Sequence, residues 1–421
     1  LQFDSYKIRS AGKSSTATFT CERLAAKLRT ALDDHARSLR RSAPNDRCPS
    51  RGDPLTSVPA EQAKRQQKRP APGENGMRFT THKSLLCTAA AAGVFAAACA
   101  LAPGAARAED KPPIVMKISL AALNEALHQF AKDYAALIDK ESGGRIKTEI
   151  YPASQLGSIP RQIEGTQFGA IQCVVTPPEF YSGIDERYEV MAAPGLVDTL
   201  AQAQRLTADP QVRQLLLGLG ADKGLHGVGL FTSQPSSIIA KAAIRHLADF
   251  KGKKVRVFAS QFQSEAFGRL GLTPVAMTLG DVLPALQQGA IDGAVAGTVI
   301  YNAMHYQDAA KYVTNIGQPV IFGLAAVSKK WYDGLPADLQ QVIDKAAVEA
   351  MAEVDPQTVE IDARADKGWV ASGGELIDLP PDEQASMLNT MASVAADVSK
   401  TKPALGAAYQ IVAAAARRVK K

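Results

Sequence analysis

The chain has 421 residues, enough for two or three domains, and 46% of them are hydrophobic, enough for a sizeable core. Its formal net charge of +6 is uneven: residues 1–76 carry +7, residues 77–108 carry +3 and the remainder −4. The basic excess therefore belongs to the front end, and it gives the folded part no case for binding nucleic acid.

Residues 1–76 are rich in Arg, Ser, Pro and Lys with little apolar periodicity. They read as a disordered or mis-annotated extension, with Met77 as the true start. From Met77, Arg78 and Lys83 form a positive n-region and Leu85 to Ala102 an apolar run. Ala106-Arg107-Ala108 forms an A-x-A site. Residues 77–108 have the layout of a secretory signal peptide, cleaved after Ala108. A spanning helix and a lipoprotein cysteine at Cys99 are the alternatives. The first is disfavoured by the alanine content of the run. The second is disfavoured by Ala96, where a large aliphatic residue is usual. Of five cysteines only Cys173 lies beyond this region, in the apolar run Ile171 to Val175. It reads as a core thiol with no disulfide framework around it.

Past Ala108 the pattern alternates between the two periods. Met116 to Leu120 reads as a strand, followed by a helix capped by Asn124 with apolar positions Leu127, Phe130, Tyr134, Leu137 and Ile138. Ile146 to Tyr151 is a second strand, Ile159 to Phe168 a helix and Ile171 to Thr176 a short buried strand. This βαβ spacing predicts a parallel sheet. A helix over Val212 to Leu219 and a strand over Gly227 to Thr232 follow, and Ser233 to Ser237 breaks that strand at a lobe boundary. A helix over Asp281 to Gln288 and a strand over Ile291 to Val295 come next, and Tyr312 to Leu324 crosses back as a second linker. Pro336 opens a long helix that Pro356 kinks or divides before it ends near Trp369, and two Ala-rich helices finish the chain.

The stretch from Lys251 to Gly293 carries the chemistry. Lys254, Arg256 and Phe258 alternate with Val255 and Val257, the period of a strand, and Ser260 with Gln263 makes an S-x-x-Q capping box for a helix immediately after. Arg256 therefore falls near the carboxyl end of a strand and beside a helix N-terminus, the edge where open α/β sheets hold ligands. A guanidinium there can grip a carboxylate with two parallel hydrogen bonds. The competing reading is a surface arginine paired with a nearby acid. Metal chemistry has no support: His128, His226, His246 and His305 are scattered, with no H-E-x-x-H or C-x-x-C. No G-x-S-x-G elbow is present either.

Four segments in order, Gly143 to Gly157 (GGRIKTEIYPASQLG), Asp249 to Val257 (DFKGKKVRV), Leu286 to Gly293 (LQQGAIDG) and Ser328 to Ala347 (SKKWYDGLPADLQQVIDKAA), resemble the TRAP-transporter substrate-binding proteins, the DctP-type periplasmic solute receptors. The resemblance covers nearly all of residues 111–421. It implies an α/β, two-lobed periplasmic binding protein with hinge strands and a long helix spanning both lobes. Lobe I is expected over 109–232 plus 322–360 and lobe II over 233–321 plus 361–421. It implies a monomeric receptor, not an enzyme, without metal or cofactor, that delivers its ligand to the small and large membrane subunits of a permease. A receptor for a membrane sensor, and a secreted hydrolase or transferase, are the other readings.

The family's carboxylate-gripping arginine falls on Arg256. Elsewhere the resemblance implies a pocket short of polar groups. Ala296 stands where a polar ligand contact is common, Ser236 where sialic-acid-type members carry another arginine, Leu279 where an aromatic is frequent, and Phe258 where proline follows the R-V pair. Such a pocket suits a monocarboxylate with an apolar or aromatic body better than a dicarboxylate. Thr176 and Phe180 are candidates for the facing wall, and Thr298 and Tyr301 for the cleft. Glu179 reads as a solvated loop acid, Asp292 as a turn residue bonding backbone, and Trp331 as a packing residue.

Overall fold

The computed structural model describes residues 112–420. The expectations for the extension and the signal peptide lie outside these residues. Among the described residues no helix is long and apolar enough to cross a membrane.

Nine strands form one sheet. In chain order they are β1 (Ile114–Ser119), β2 (Ile146–Tyr151), β3 (Cys173–Thr176), β4 (Leu225–Ala240), β5 (Lys254–Val257), β6 (Thr273–Ala276), β7 (Gly293–Ala296), β8 (Tyr312–Ser328) and β9 (Glu375–Asp378). The order across the sheet is β2-β1-β3-β8-β4-β7-β5-β6, with β9 also on β8. β4 and β8 are antiparallel partners along their whole length, and every other strand attaches to one end of this pair. β3 joins β8 through Leu324 to Val327, and β1 and β2 extend that half in parallel. At the other end β7 joins β4 through Ser237 to Ala240, β9 joins β8, and β5 and β6 extend the sheet in parallel. Two α/β halves thus share two long strands.

The expected break at Ser233 to Ser237 is a correction. β4 runs through it, and the pairing register slips between Thr232 and Gln234 and again between Pro235 and Ser237. Pro235 has no N–H to give the ladder, so the strand absorbs it as bulges instead of ending.

The helices cover both faces. They are α1 (Ala126–Glu141), α2 (Ile159–Phe168), α3 (Leu200–Ala208), α4 (Pro210–Gly218), α5 (Gln261–Arg269), α6 (Leu279–Gln288), α7 (Thr298–Ala303), α8 (Lys329–Asp333), α9 (Ala337–Ala371), α10 (Pro381–Thr401) and α11 (Pro403–Arg418). The expected division of α9 at Pro356 does not occur. Proline removes the backbone donor that would meet the Ala352 carbonyl; in the turn around it Gln357 Nε2 donates to the Glu353 carbonyl at 2.8 Å and Thr358 Oγ1 to the Val354 carbonyl at 3.1 Å, second donors to carbonyls that continue the helix. At 35 residues, about 52 Å by the rise of an α-helix, α9 serves both halves. Leu339, Ile343, Ala347 and Val354 pack in the first-half core, and Trp369 packs with Tyr301 and Tyr306 in the second.

The last helix touches elements expected in both lobes. α11 packs on α3, α4 and the turn over Glu186–Ala192 and also on α10, which in turn packs on α5. Gln202 donates to the Ala416 carbonyl at 2.9 Å and Arg418 pairs with Asp209 at 2.8 Å, which fixes the chain end on the first half. Cys173 is buried, and burial pushes its thiol up. Trp331 packs against the first-half core, and Asp292 accepts from the Lys254 N–H at 2.8 Å.

Candidate functional site

The carboxyl ends of β1, β3, β5 and β7 meet at a small, partly open cleft where the two halves face each other. The first half contributes Ala121, Ala122, Glu125 and Leu127 from the β1–α1 turn, Ile159, and Val175, Thr176, Pro177 and Phe180 from the end of β3. The second half contributes Arg256 and Phe258 from β5, Leu279, Ala296 and Ile300. The shared strands put Ser233, Gln234 and Ile321 between them.

Arg256 is 1% exposed and held by its own half. Its Nε donates to the Met277 carbonyl at 3.1 Å and its Nη1 to the Val295 carbonyl at 3.0 Å. These two bonds fix the fork and leave Nη2 without a partner. Among the described residues no carboxylate bonds to it, and it is buried, so the reading of a surface arginine paired with an acid does not hold. Burial pulls the guanidinium down to about 10, which leaves it charged at neutral pH. Phe258, two residues along on the same strand face, lies under it and also meets Phe180 across the cleft, ring centroids 5.7 Å apart. Ser260 caps α5 as expected, accepting from the Gln263 N–H at 3.4 Å. The Gln263 carboxamide reaches back past Ser260 and accepts from the Phe258 N–H at 3.1 Å, which fixes the backbone beside Arg256.

Four buried polar atoms on this cleft have no hydrogen-bond partner among the described residues: Thr176 Oγ1, Ser233 Oγ, Gln234 Oε1 and Arg256 Nη2. Buried polar groups are ordinarily hydrogen-bonded, because each one left unmatched costs free energy. Their convergence marks a place prepared for a polar guest. Gln234 is tightly placed: a Cβ added at Gly297 would stand 1.9 Å from its Oε1, so glycine at 297 gives the amide its room.

Of the residues singled out in the sequence, Thr176, Phe180, Arg256, Phe258, Leu279 and Ala296 come together here. Ser236 and Thr298 lie on a separate cleft with Asn315, Asp362 and Asp366, and the Ser236 hydroxyl is spent on the Pro319 carbonyl. Tyr301 is inside the second-half core. Its hydroxyl donates to the Ser237 carbonyl at 2.7 Å and accepts from the Ala296 N–H at 2.9 Å, which clamps β4 to β7. Glu179 is not a solvated acid: it is 3% exposed, and burial pushes it up to about 7. Asn124 does not cap α1. Glu125 does, accepting from the Leu127 N–H at 3.0 Å.

The family model of bacterial extracellular solute-binding protein family 7 (DctP) matches residues 119–401. The chain belongs to that family. These are the solute receptors of TRAP transporters, and the fold above is the two-lobed fold of their solved members. The C4-dicarboxylate-binding periplasmic protein DctP of Rhodobacter capsulatus is 26% identical over 240 residues, 56% of this chain and 72% of that protein. A TRAP periplasmic solute-binding protein from Shewanella oneidensis, solved with bound succinate, superposes with a TM-score of 0.68 at 23% identity. The match covers 73% of this chain and 100% of that one. A Desulfovibrio salexigens member with bound orotic acid gives 0.68 at 22% identity, over 72% and 99%. Family membership places the cleft between the lobes of a solute receptor. Among the described residues no cluster of three or more His, Cys, Asp or Glu is placed to hold a metal ion.

Proposed function

We propose that this chain captures a small organic acid in the periplasm, holds its carboxylate on Arg256, and hands it to a TRAP permease made of a small and a large membrane subunit. The observation that carries the reading is the group of four unmatched polar atoms on one cleft, with a fixed guanidinium nitrogen among them. A carboxylate accepts from Arg256 Nη2 and from the hydroxyls of Thr176 and Ser233, satisfying three of the four. Relatives whose printed names or bound molecules are C4-dicarboxylates, succinate or orotic acid support an organic-acid ligand.

A monocarboxylate fits best. The cleft offers one cation, and twelve of its seventeen lining residues are apolar, so a second carboxylate would be buried unpaired. The halves close on the ligand by bending at β4 and β8, and the bulges at Thr232 to Ser237 supply the compliance. Nothing in the cleft is arranged as a nucleophile with its base, which favours a receptor over a hydrolase or transferase. Secretion by the 77–108 segment with cleavage after Ala108, and a monomeric state, complete the proposal.

The test is a thermal-shift panel of aliphatic and aromatic monocarboxylates, dicarboxylates and sugar acids on wild type and Arg256→Ala. A monocarboxylate should give the largest shift, and the variant should lose it. Succinate or another dicarboxylate outranking every monocarboxylate would remove the substrate assignment. A shift that survives in the variant would remove Arg256 from the anion site.

A further inference from the structure

The cleft holds a second charged group that the anion reading leaves unused. Glu125 lines it at 4% exposure, on the first half, while Arg256 is mounted on the second. The two are not paired with each other: the guanidinium bonds only main-chain carbonyls, and the carboxylate bonds only the start of its own helix through Oε2. A carboxylate has about four acceptor positions, so the capping of its own helix leaves it able to take a further donor. Two buried groups of opposite sign on facing walls, left apart instead of bonded, are costly unless something lies between them. Between them are apolar surfaces, among them Leu127, Phe180 and Phe258, and the free acceptor of Gln234.

We propose that the captured acid carries a hydrogen-bond donor, a hydroxyl or an ammonium, apart from its carboxylate, and that Glu125 receives this donor and so determines specificity. The proposal rests on Arg256 holding the carboxylate. A ligand of this class places its anion on the second half and its donor on the first, so each end draws one lobe in. A plain alkyl or aryl acid meets only Arg256, leaves Gln234 Oε1 without a partner and leaves Glu125 with nothing but its helix-capping bonds, a mismatch that discriminates far more strongly than apolar shape. A dicarboxylate would set its second anion against the Glu125 carboxylate. The pKa of Glu125, pushed up to about 7 by burial, is what a carboxylate deprived of its donor would show.

Calorimetric titration of the full chain tests this with a length series of unbranched and phenyl-bearing carboxylic acids. Each is compared with its hydroxyl- and amino-bearing counterpart. At least one counterpart should bind tenfold or more tighter than its parent acid. In Glu125→Gln that ratio should collapse toward one; the carboxamide oxygen still caps Leu127, and the melting temperature checks that the variant folds. Wild type showing no advantage at any length overturns the proposal, as does a ratio that survives in Glu125→Gln. If parent acids bind and lose affinity in Arg256→Ala while the counterparts gain nothing, this inference fails and the anion site stands. If no acid of either kind binds, both fall.

Discussion

The guanidinium carbon of Arg256 stands 4.5 Å from the ring centroid of Phe258. The ring blocks one face of the fork, the Met277 and Val295 carbonyls hold two of its nitrogens, and the remaining nitrogen is left for the cleft. A pre-set fork loses less entropy on binding than a free side chain.

Arg256→Ala should weaken binding of the cognate acid by roughly 2–4 kcal/mol, the usual cost of leaving a buried charge without its partner. Arg256→Lys should recover only part, because an ammonium cannot reproduce the planar fork. Calorimetry on the folded variants decides it, and equal affinities for wild type and Arg256→Ala would contradict the site.

Gly297→Ala should displace Gln234, since the new methyl would overlap its amide. We expect an affinity loss of about tenfold, near 1.4 kcal/mol. The double variant Gly297→Ala with Gln234→Ala should lose no more than Gln234→Ala alone. A double-mutant cycle checks this, and additive losses would show that the two positions act separately.

Glu189 ties the halves at another point. At 5% exposure its carboxylate accepts from the N–H of Gln261, the first residue of α5, at 2.7 Å, with Lys402 Nζ at 3.6 Å. Glu189→Ala should cost about 1–3 kcal/mol of stability by orphaning that donor. Glu189→Gln should keep most of it, as measured by urea unfolding without ligand.

Stability should fall as pH rises from mild acid to neutrality. Glu179 is pushed from 4.5 to about 7 by burial. Between those values the folded chain keeps a proton that the unfolded chain has released, so each step up in pH favours unfolding. The loss attributable to Glu179 is at most about 3 kcal/mol, complete above its folded pKa. Glu125 pulls in the same direction. Unfolding free energies at about pH 5 and pH 8 should therefore differ less in Glu179→Gln than in wild type. An unchanged difference would assign the slope to other groups.

The sequence shows the parts whose signal is local. The alternation around Arg256, the cap at Ser260 and the apolar face of α9 all depend on neighbours within a turn or a strand, and each appears where those neighbours put it. What it hides depends on partners far along the chain. Ser233 and Gln234 have the composition of a turn, and only pairing with β8 makes them strand residues at the cleft. Glu125 and Glu179 look like solvent-side acids because nothing nearby in sequence shows that the fold buries them. β6 and β9 span four residues each, too short for an alternation to register, and Pro274 is tolerated because β6 lies at the sheet edge.

The attachment of α11 to the first half, after α10 has packed on the second, makes the receptor easy to turn into an optical reporter. A dye on Lys420→Cys is anchored with α3 and α4, and one on Ser386→Cys is anchored with α5. In a chain starting after Ala108, which lacks Cys21, Cys48, Cys87 and Cys99, the remaining Cys173 is buried and will not compete for maleimide labels. Energy transfer between the two dyes would follow opening and capture in real time, with no fluorophore placed in the cavity itself.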